Sequence, residues 1–176
     1  MDDGELRAAI RQHALLEGDF LLRSGRRSTY YLDKYRFETR PELLRPIGER
    51  IAAVVAEHEP QAVRLAAPEL GAVALAAAAS LASGLPFLIV RKAEKEYGTG
   101  NRLEGTFEPG ERVCLVEDVV TSGGAALEAV DALREAGLEV GTAVCVIDRE
   151  EGGADALARR AVRLRPLFRA SDVLSA

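Results

Sequence analysis

From residue 62 onward the chain switches repeatedly between two periods, and that alternation restricts the fold more than any other feature. AVRLAA (62–67), PFLIV (86–90), RVCLV (112–116) and EVGTAVCVID (139–148) are short, mostly apolar runs. Residues 71–83 and 124–136 between them have helical length, and Gly137 stops the second. Apolar strands alternating with helices predict a mainly parallel sheet with helices on both faces, an α/β architecture. VRLRPLF (162–168) is expected as an edge strand, followed by a short helix from Ser171.

Upstream, residues 3–17 have an amphipathic helical pattern ending near Gly18. FLLRSGRRSTYYLD (20–33) is expected to form two short strands around a Ser-Gly turn. Thr39 as N-cap, Pro41 just inside and Glu42 three residues on predict a helix running to about His58. With 176 residues, no internal repeat and no linker-like composition, the chain is expected to form one domain, 1–176.

Leu70 to Val90 carries no charge over 21 residues, long enough to cross a bilayer. Gly84 and Pro86 divide it, and most of it is alanine, so a buried helix followed by a strand is the better reading. The net charge of −5 argues against general nucleic-acid binding. Cys114 and Cys145 lie within apolar runs, and His13 and His58 join no ligand cluster, so no protein metal centre is expected. Both cysteines read as reduced core residues of a cytoplasmic protein, and the acidic start MDDGELRAAI has no signal-peptide character.

The chemistry concentrates in VCLVEDVVTSGGA (113–125). In an open parallel sheet, ligands bind beyond the carboxyl ends of the strands. Glu117, Asp118, Val119, Val120 and Thr121 are expected at or just past such an end, with a helix starting near Gly124. The turn of Thr121, Ser122, Gly123, Gly124 and Ala125 would then offer backbone N–H groups, hydroxyls and a helix N-terminus to a phosphate. Two carboxylates would repel that phosphate, so they must face hydroxyls or a cation on the same ligand. A sugar phosphate supplies both. The turn lacks the lysine of a Walker loop and the spacing of a dinucleotide fingerprint. The polar connection RKAEKEYGTGNRLEGTFEPG (91–110) places Arg91, Lys92 and Lys95 opposite that anion site; it is either a functional loop or a surface hairpin.

VCLVEDVVTSGGA resembles the phosphoribosyl pyrophosphate (PRPP) motif of type I phosphoribosyltransferases, and within them the orotate-specific family. FLLRSGRRSTYYLD resembles that family's F-x-L-K-S-G-x-x-S-x-Y segment, RKAEKEYG its R-K-x-x-K-x-H-G loop, and VIDREEGG its D-R-x-x-G-G segment. The resemblance implies a type I phosphoribosyltransferase fold with a small N-terminal hood, Mg²⁺ as cofactor and a homodimer whose catalytic loop reaches the neighbouring site. It implies phosphoribosyl transfer from PRPP to orotate, with no nucleic-acid or membrane partner. Carried over, Glu117 and Asp118 would hold the ribose hydroxyls and 121–125 the 5′-phosphate. Arg91, Lys92 and Lys95 would handle pyrophosphate, and Thr121, Arg149 and Arg23 would face orotate. Arg149 is expected at a strand end with Glu150 and Glu151 turned away.

Three positions depart from the family pattern. Tyr97 stands where the loop usually has histidine, and Arg23 where the N-terminal segment has lysine. Residues 68–71 read Pro-Glu-Leu-Gly where many relatives carry a lysine, leaving the backbone N–H groups of 69–71 as donors. A phosphoribosyltransferase for another base and a non-catalytic PRPP-binding regulator are the competing readings. The first shares the 117–125 motif; the second has no need of Arg-Lys-x-x-Lys.

Overall fold

The computed structural model describes residues 1–21, 25, 27–92 and 102–175. Helix α1 spans Asp3–Ala14. Its N-terminus is closed reciprocally: Glu5 N donates to Asp2 Oδ1 at 2.8 Å and Asp2 N to Glu5 Oε2 at 2.8 Å. The helix ends three residues before the predicted boundary, because Leu15 turns extended and pairs with Leu32. Leu15–Leu21 is therefore strand β1, antiparallel to β2 (Arg27–Leu32), and the two form a separate small sheet. Helix α2 (Tyr35–Glu38) is a single turn. The Thr39 hydroxyl donates back to Tyr35 O at 2.6 Å, so Thr39 closes α2 rather than capping the next helix as predicted. Helix α3 (Pro41–His58) begins on its proline, after Arg40.

The main sheet contains β3 (Arg64–Pro68), β4 (Phe87–Val90), β5 (Leu103–Glu104), β6 (Arg112–Val120), β7 (Glu139–Asp148) and β8 (Arg163–Arg169). Its order is β5-β4-β3-β6-β7-β8, parallel except for β5. Helices α4 (Gly71–Ser83) and α5 (Gly124–Glu135) fall where the sequence places them, and β8 lies at the sheet edge as expected. Helix α6 (Gly153–Ala158), helix α7 (Ala170–Leu174) and the short β5 complete the fold; α6 and β5 have no counterpart in the sequence reading.

Side chains from the two faces of the sheet enter two cores. Leu65, Ala67, Cys114, Val116, Val144 and Val146 join Ile47 and Ile51 of α3 and Leu75 of α4. Ala66, Val113, Leu115 and Ala143 join Ala126, Val130 and Leu133 of α5. This two-sided burial is what the unbroken apolar strands predict. Cys114 and Cys145 are free and buried, and burial pushes the Cys114 thiol up to about 12.

Helices α3 and α4 approach closely at one point. A Cβ on Gly48 would lie 2.6 Å from Ala78 Cβ and 2.7 Å from the Ala78 carbonyl carbon. Gly48→Ala should therefore destabilise the fold by about 1–3 kcal/mol, the usual cost of overpacking. Urea unfolding of both proteins measures this, and an unchanged midpoint would show that the helix pair separates without cost.

Candidate active site at the carboxyl edge of the sheet

Strand β6 runs four residues beyond the predicted apolar stretch, so Glu117 and Asp118 lie inside the strand and not past its end. Both are buried, at 6% and 4% exposure. Pairing of Glu117 with Cys145 and of Val120 with Asp148 carries β6 to the end of β7. Arg149 N then donates to Val120 O at 2.8 Å, which sets Thr121 and Arg149 side by side at two neighbouring strand ends.

The phosphate-loop candidate follows immediately. Gly123 has φ of 84°, the left-handed region, and precedes α5 as an N-cap without a side-chain bond. Thr121, Ser122, Gly124 and Ala125 are exposed. Beneath them lies Gly153, the first residue of α6. A Cβ there would meet Val120 Cγ1 at 2.4 Å and Thr121 O at 2.7 Å. The second glycine of the Asp-Arg-x-x-Gly-Gly segment thus makes room for the loop, a role the sequence reading missed. The loop and the helix N-terminus face solvent together, an arrangement suited to a phosphate.

Asp118 is held from two sides. Lys34 Nζ donates to its Oδ2 at 2.5 Å, and the Val119 N–H lies against its Oδ1. Lys34 immediately precedes α2 and is 84 residues away in sequence, so no local pattern could have identified it. Gly71 at the start of α4 leaves the space for this pair: a Cβ there would fall 1.9 Å from Asp118 Oδ2 and 2.9 Å from Lys34 Nζ. Burial alone would lower the Lys34 ammonium, but the hydrogen bond and charge of Asp118, with Glu38 and Tyr35, leave it raised. Two further carboxyls crowd the pair. Burial, with the charge of Asp118, pushes Glu38 up to about 8 and Glu117 up to about 8, against the opposing pull of Lys34. One oxygen of each, Glu38 Oε1 and Glu117 Oε1, is buried without a hydrogen-bond partner among the described residues.

The other predicted residues separate into two groups. The Arg149 side chain is 11% exposed, its guanidinium lies 5.3 Å over the Tyr30 ring, and its Nη2 reaches Glu151 Oε1 at 3.1 Å. Glu151 therefore points toward Arg149, contrary to expectation, because the turn after β7 folds it back. Glu150 does point away, accepting from Ser171 N at 3.0 Å. Arg149 Nε is buried without a partner among the described residues. Arg91 lies 4.0 Å from Glu69 and 3.9 Å from Glu104, and Lys92 N donates to Glu69 Oε1 at 2.7 Å. Glu69 thereby joins the 68–71 segment to the root of the 91–110 connection. Lys95, Tyr97 and Arg23 lie outside the described residues.

The described residues contain no group of three or more His, Cys, Asp or Glu able to hold a metal ion. Among the described residues no helix is long and apolar enough to cross a membrane. The groove of about 570 Å³ between α3 and α4, lined by Leu44, Ala74, Ala78 and Leu81, lies away from the strand ends and is apolar.

The phosphoribosyl transferase domain family matches residues 37–164. The chain is 50% identical over 174 residues to an orotate phosphoribosyltransferase of Methanocella arvoryzae, covering 98% of this chain and 97% of the relative. It is 48% identical over 171 residues to that of Halobacterium salinarum, covering 97% and 94%. The Mycobacterium tuberculosis orotate phosphoribosyltransferase superposes with a TM-score of 0.88 at 31% identity, covering 98% and 99%. The same protein in complex with PRPP superposes with a TM-score of 0.83 at 30% identity, covering 98% and 99%.

The raised Glu38 predicts a pH dependence. Folded, its carboxyl keeps a proton to about 8; unfolded, it loses it near 4.5. The folded state binds the extra proton in that window, so this group's stabilisation is present below it and is lost as pH rises through it. Glu38→Gln stays neutral throughout. Its stability relative to wild type should rise by about 1–3 kcal/mol between about pH 5 and about pH 8.5, less than the full shift because solvent reaches part of the site and screens it. Urea midpoints at several pH values test this, and parallel curves for the two proteins would refute it.

Proposed function

The chain belongs to the orotate phosphoribosyltransferase family, and on that premise we propose that it transfers the phosphoribosyl group of PRPP to orotate. The products are orotidine 5′-phosphate and pyrophosphate, a step of pyrimidine nucleotide synthesis. The bond from ribose C1 to the pyrophosphate oxygen breaks, the bond from C1 to N1 of orotate forms, and the N1 proton is released. One observation carries the reading: a glycine loop on the N-terminus of α5 adjoins an anchored Asp118 and a buried Arg149 with an unmatched donor. Phosphate, ribose and a carboxylate-bearing base thus each have a matching group along one sheet edge.

The 5′-phosphate takes the N–H groups and hydroxyls of 121–125. Asp118, with Glu117 behind it, accepts from the ribose hydroxyls. Orotate differs from uracil by a ring carboxylate, and a planar guanidinium binds such a group through paired N–H donors. Arg149 is that guanidinium, braced by Tyr30, with Thr121 beside it and Arg23 as a further contact. The transition state accumulates positive charge on the sugar and negative charge on the leaving group. Arg91 and Lys92 at the root of the loop, with Lys95 and Tyr97 further along it, act on the pyrophosphate. The N–H groups of 69–71 serve where relatives use a lysine.

Mg²⁺ would enter this site with the substrate and would offset charge on the leaving group. Glu117, with its orphaned oxygen, and the anchored Asp118 are the carboxyls that would face it. The enzyme acts as a homodimer in the cytoplasm, with the loop of one subunit completing the site of the other. The reduced, buried cysteines accord with that compartment.

The reaction is followed by the loss of orotate ultraviolet absorbance, coupled to formation of uridine monophosphate, with PRPP and Mg²⁺ present. Absence of turnover with orotate, or equal turnover with other bases, would overturn the reading. Arg149→Ala should weaken orotate binding by about 2–4 kcal/mol and leave PRPP affinity nearly unchanged. A joint fall in both affinities would remove Arg149 from the base side of the site.

Catalysis across subunits has its own test. Lys95→Ala should lower turnover by about 10²–10³. Refolded together with Asp118→Asn, it should recover activity, because one hybrid site holds both wild-type residues. Failure of the mixture to exceed its parents would place the loop in its own subunit's site.

A further inference from the structure

Asp118 is already engaged before any ligand arrives. Its Oδ2 accepts from Lys34 Nζ at 2.5 Å and its Oδ1 lies against the Val119 N–H. A carboxylate on an open crevice can rotate, and rotation misdirects the lone pairs that ribose hydroxyls need. Here both oxygens are tied, while each keeps further acceptor capacity. The fixing group is not part of the sheet. Lys34 reaches in from the start of α2, with its side chain 34% exposed against 5% for Asp118. It also stacks 5.4 Å over the Tyr35 ring. No side chain fits at Gly71, where a Cβ would meet both partners.

The charges point the same way. Asp118 faces Lys34 and Glu38 from α2 and its start and Glu117 on its own strand, while Tyr35 acts on Lys34 and Asp33 on Glu38. Asp118 is the carboxylate that the ammonium bonds, while Glu38 and Glu117 keep protons up to about 8, and this group meets a ligand carrying a phosphate and a diphosphate. Without the ammonium, the polyanion would approach uncompensated negative charge in a partly buried site, where such charge is poorly screened.

We propose that Lys34 is a positioning residue for PRPP: it orients and neutralises Asp118 for the ribose hydroxyls and acts on the substrate only through that carboxylate. This rests on the functional reading above. It makes the sugar side of the site depend on a residue outside those matched by the common domain family.

A double-mutant cycle tests it, using Lys34→Met, Asp118→Asn and the double variant. Calorimetry gives the Kd of Mg²⁺-PRPP, and steady-state assays give both KM values and kcat. Lys34→Met should raise the Kd and KM for PRPP by about tenfold, as for loss of a charge-assisted hydrogen bond. The KM for orotate should stay within about twofold. In the Asp118→Asn background the same change should cost less than about twofold, since coupled neighbours are non-additive. Lys34→Gln, which keeps a donor without the charge, should fall between wild type and Lys34→Met, and it takes the place of Lys34→Met in the cycle if the latter does not fold.

An equal penalty in both backgrounds would overturn the proposal, because Lys34 would then act without Asp118. A parallel rise in the orotate KM would make Lys34 a general structural residue, and unchanged PRPP affinity would give it no role. Wild-type protein that binds PRPP but does not consume orotate would sink the functional reading alone, and the Kd cycle would still decide the role of Lys34. Wild-type protein that binds no PRPP would overturn both.

Discussion

The pairing of β6 with β7 governs the site. Val120 lies opposite Asp148, Arg149 N bonds to Val120 O, and Thr121 and Arg149 emerge together from adjacent strand ends. Side chains alternate along a strand, so a shift of one residue would turn Glu117 and Asp118 to opposite surroundings and break this alignment. The register is enforced from below by the two cores. Cys114 and Val116 fill one, while Val113 and Leu115 fill the other. The apolar part of β6 thus positions the polar part, and the glycine loop begins where its ladder stops.

Burying carboxyls at that edge has an energetic cost, and the structure shows how it is offset. Asp118 has an ammonium and a backbone N–H; Glu38 and Glu117 are instead pushed up to about 8, so that a proton relieves their charge. Close approach demands small residues at set points. Gly71 admits the Lys34–Asp118 pair, and Gly153 admits the loop after Val120. Stability is sacrificed locally so that anchored acceptors and open N–H groups are ready when the ligand arrives.

What the sequence made legible follows from range. Strand β7, helix α4 and the start of α5 depend on local periodicity and a glycine stop, and they lie where predicted. The acids and the glycine loop were legible because their chemistry is contiguous. Local pattern misled where tertiary pairing overrode it: residues 15–17 continue a helical period but pair with β2, and Thr39 bonds backward to Tyr35. Strand β6 was cut short because two acids look like a strand end, yet the ladder to β7 continues through them. Lys34, Tyr30 and Glu151 were invisible as site residues or misdirected, since each acquires its partner only through the folded chain.

The N-terminal segment therefore has a different physical status from the rest. The domain match begins at residue 37, and the sheet after it supplies the glycine loop and the acids. From before that boundary, Tyr30 on β2 lies beneath the Arg149 guanidinium and Lys34 holds Asp118. One short stretch of chain thus braces both Arg149 and Asp118, the residues proposed for the base and the sugar. A residue braced by a neighbour loses less freedom on binding, so such support favours affinity without adding a contact. The two braces are four positions apart in sequence, on the passage from β2 into α2. A displacement of this segment would loosen Arg149 and Asp118 together. On the roles proposed for Arg149 and Asp118, recognition of the base and of the ribose is mechanically linked, with the link carried by residues that need touch neither substrate.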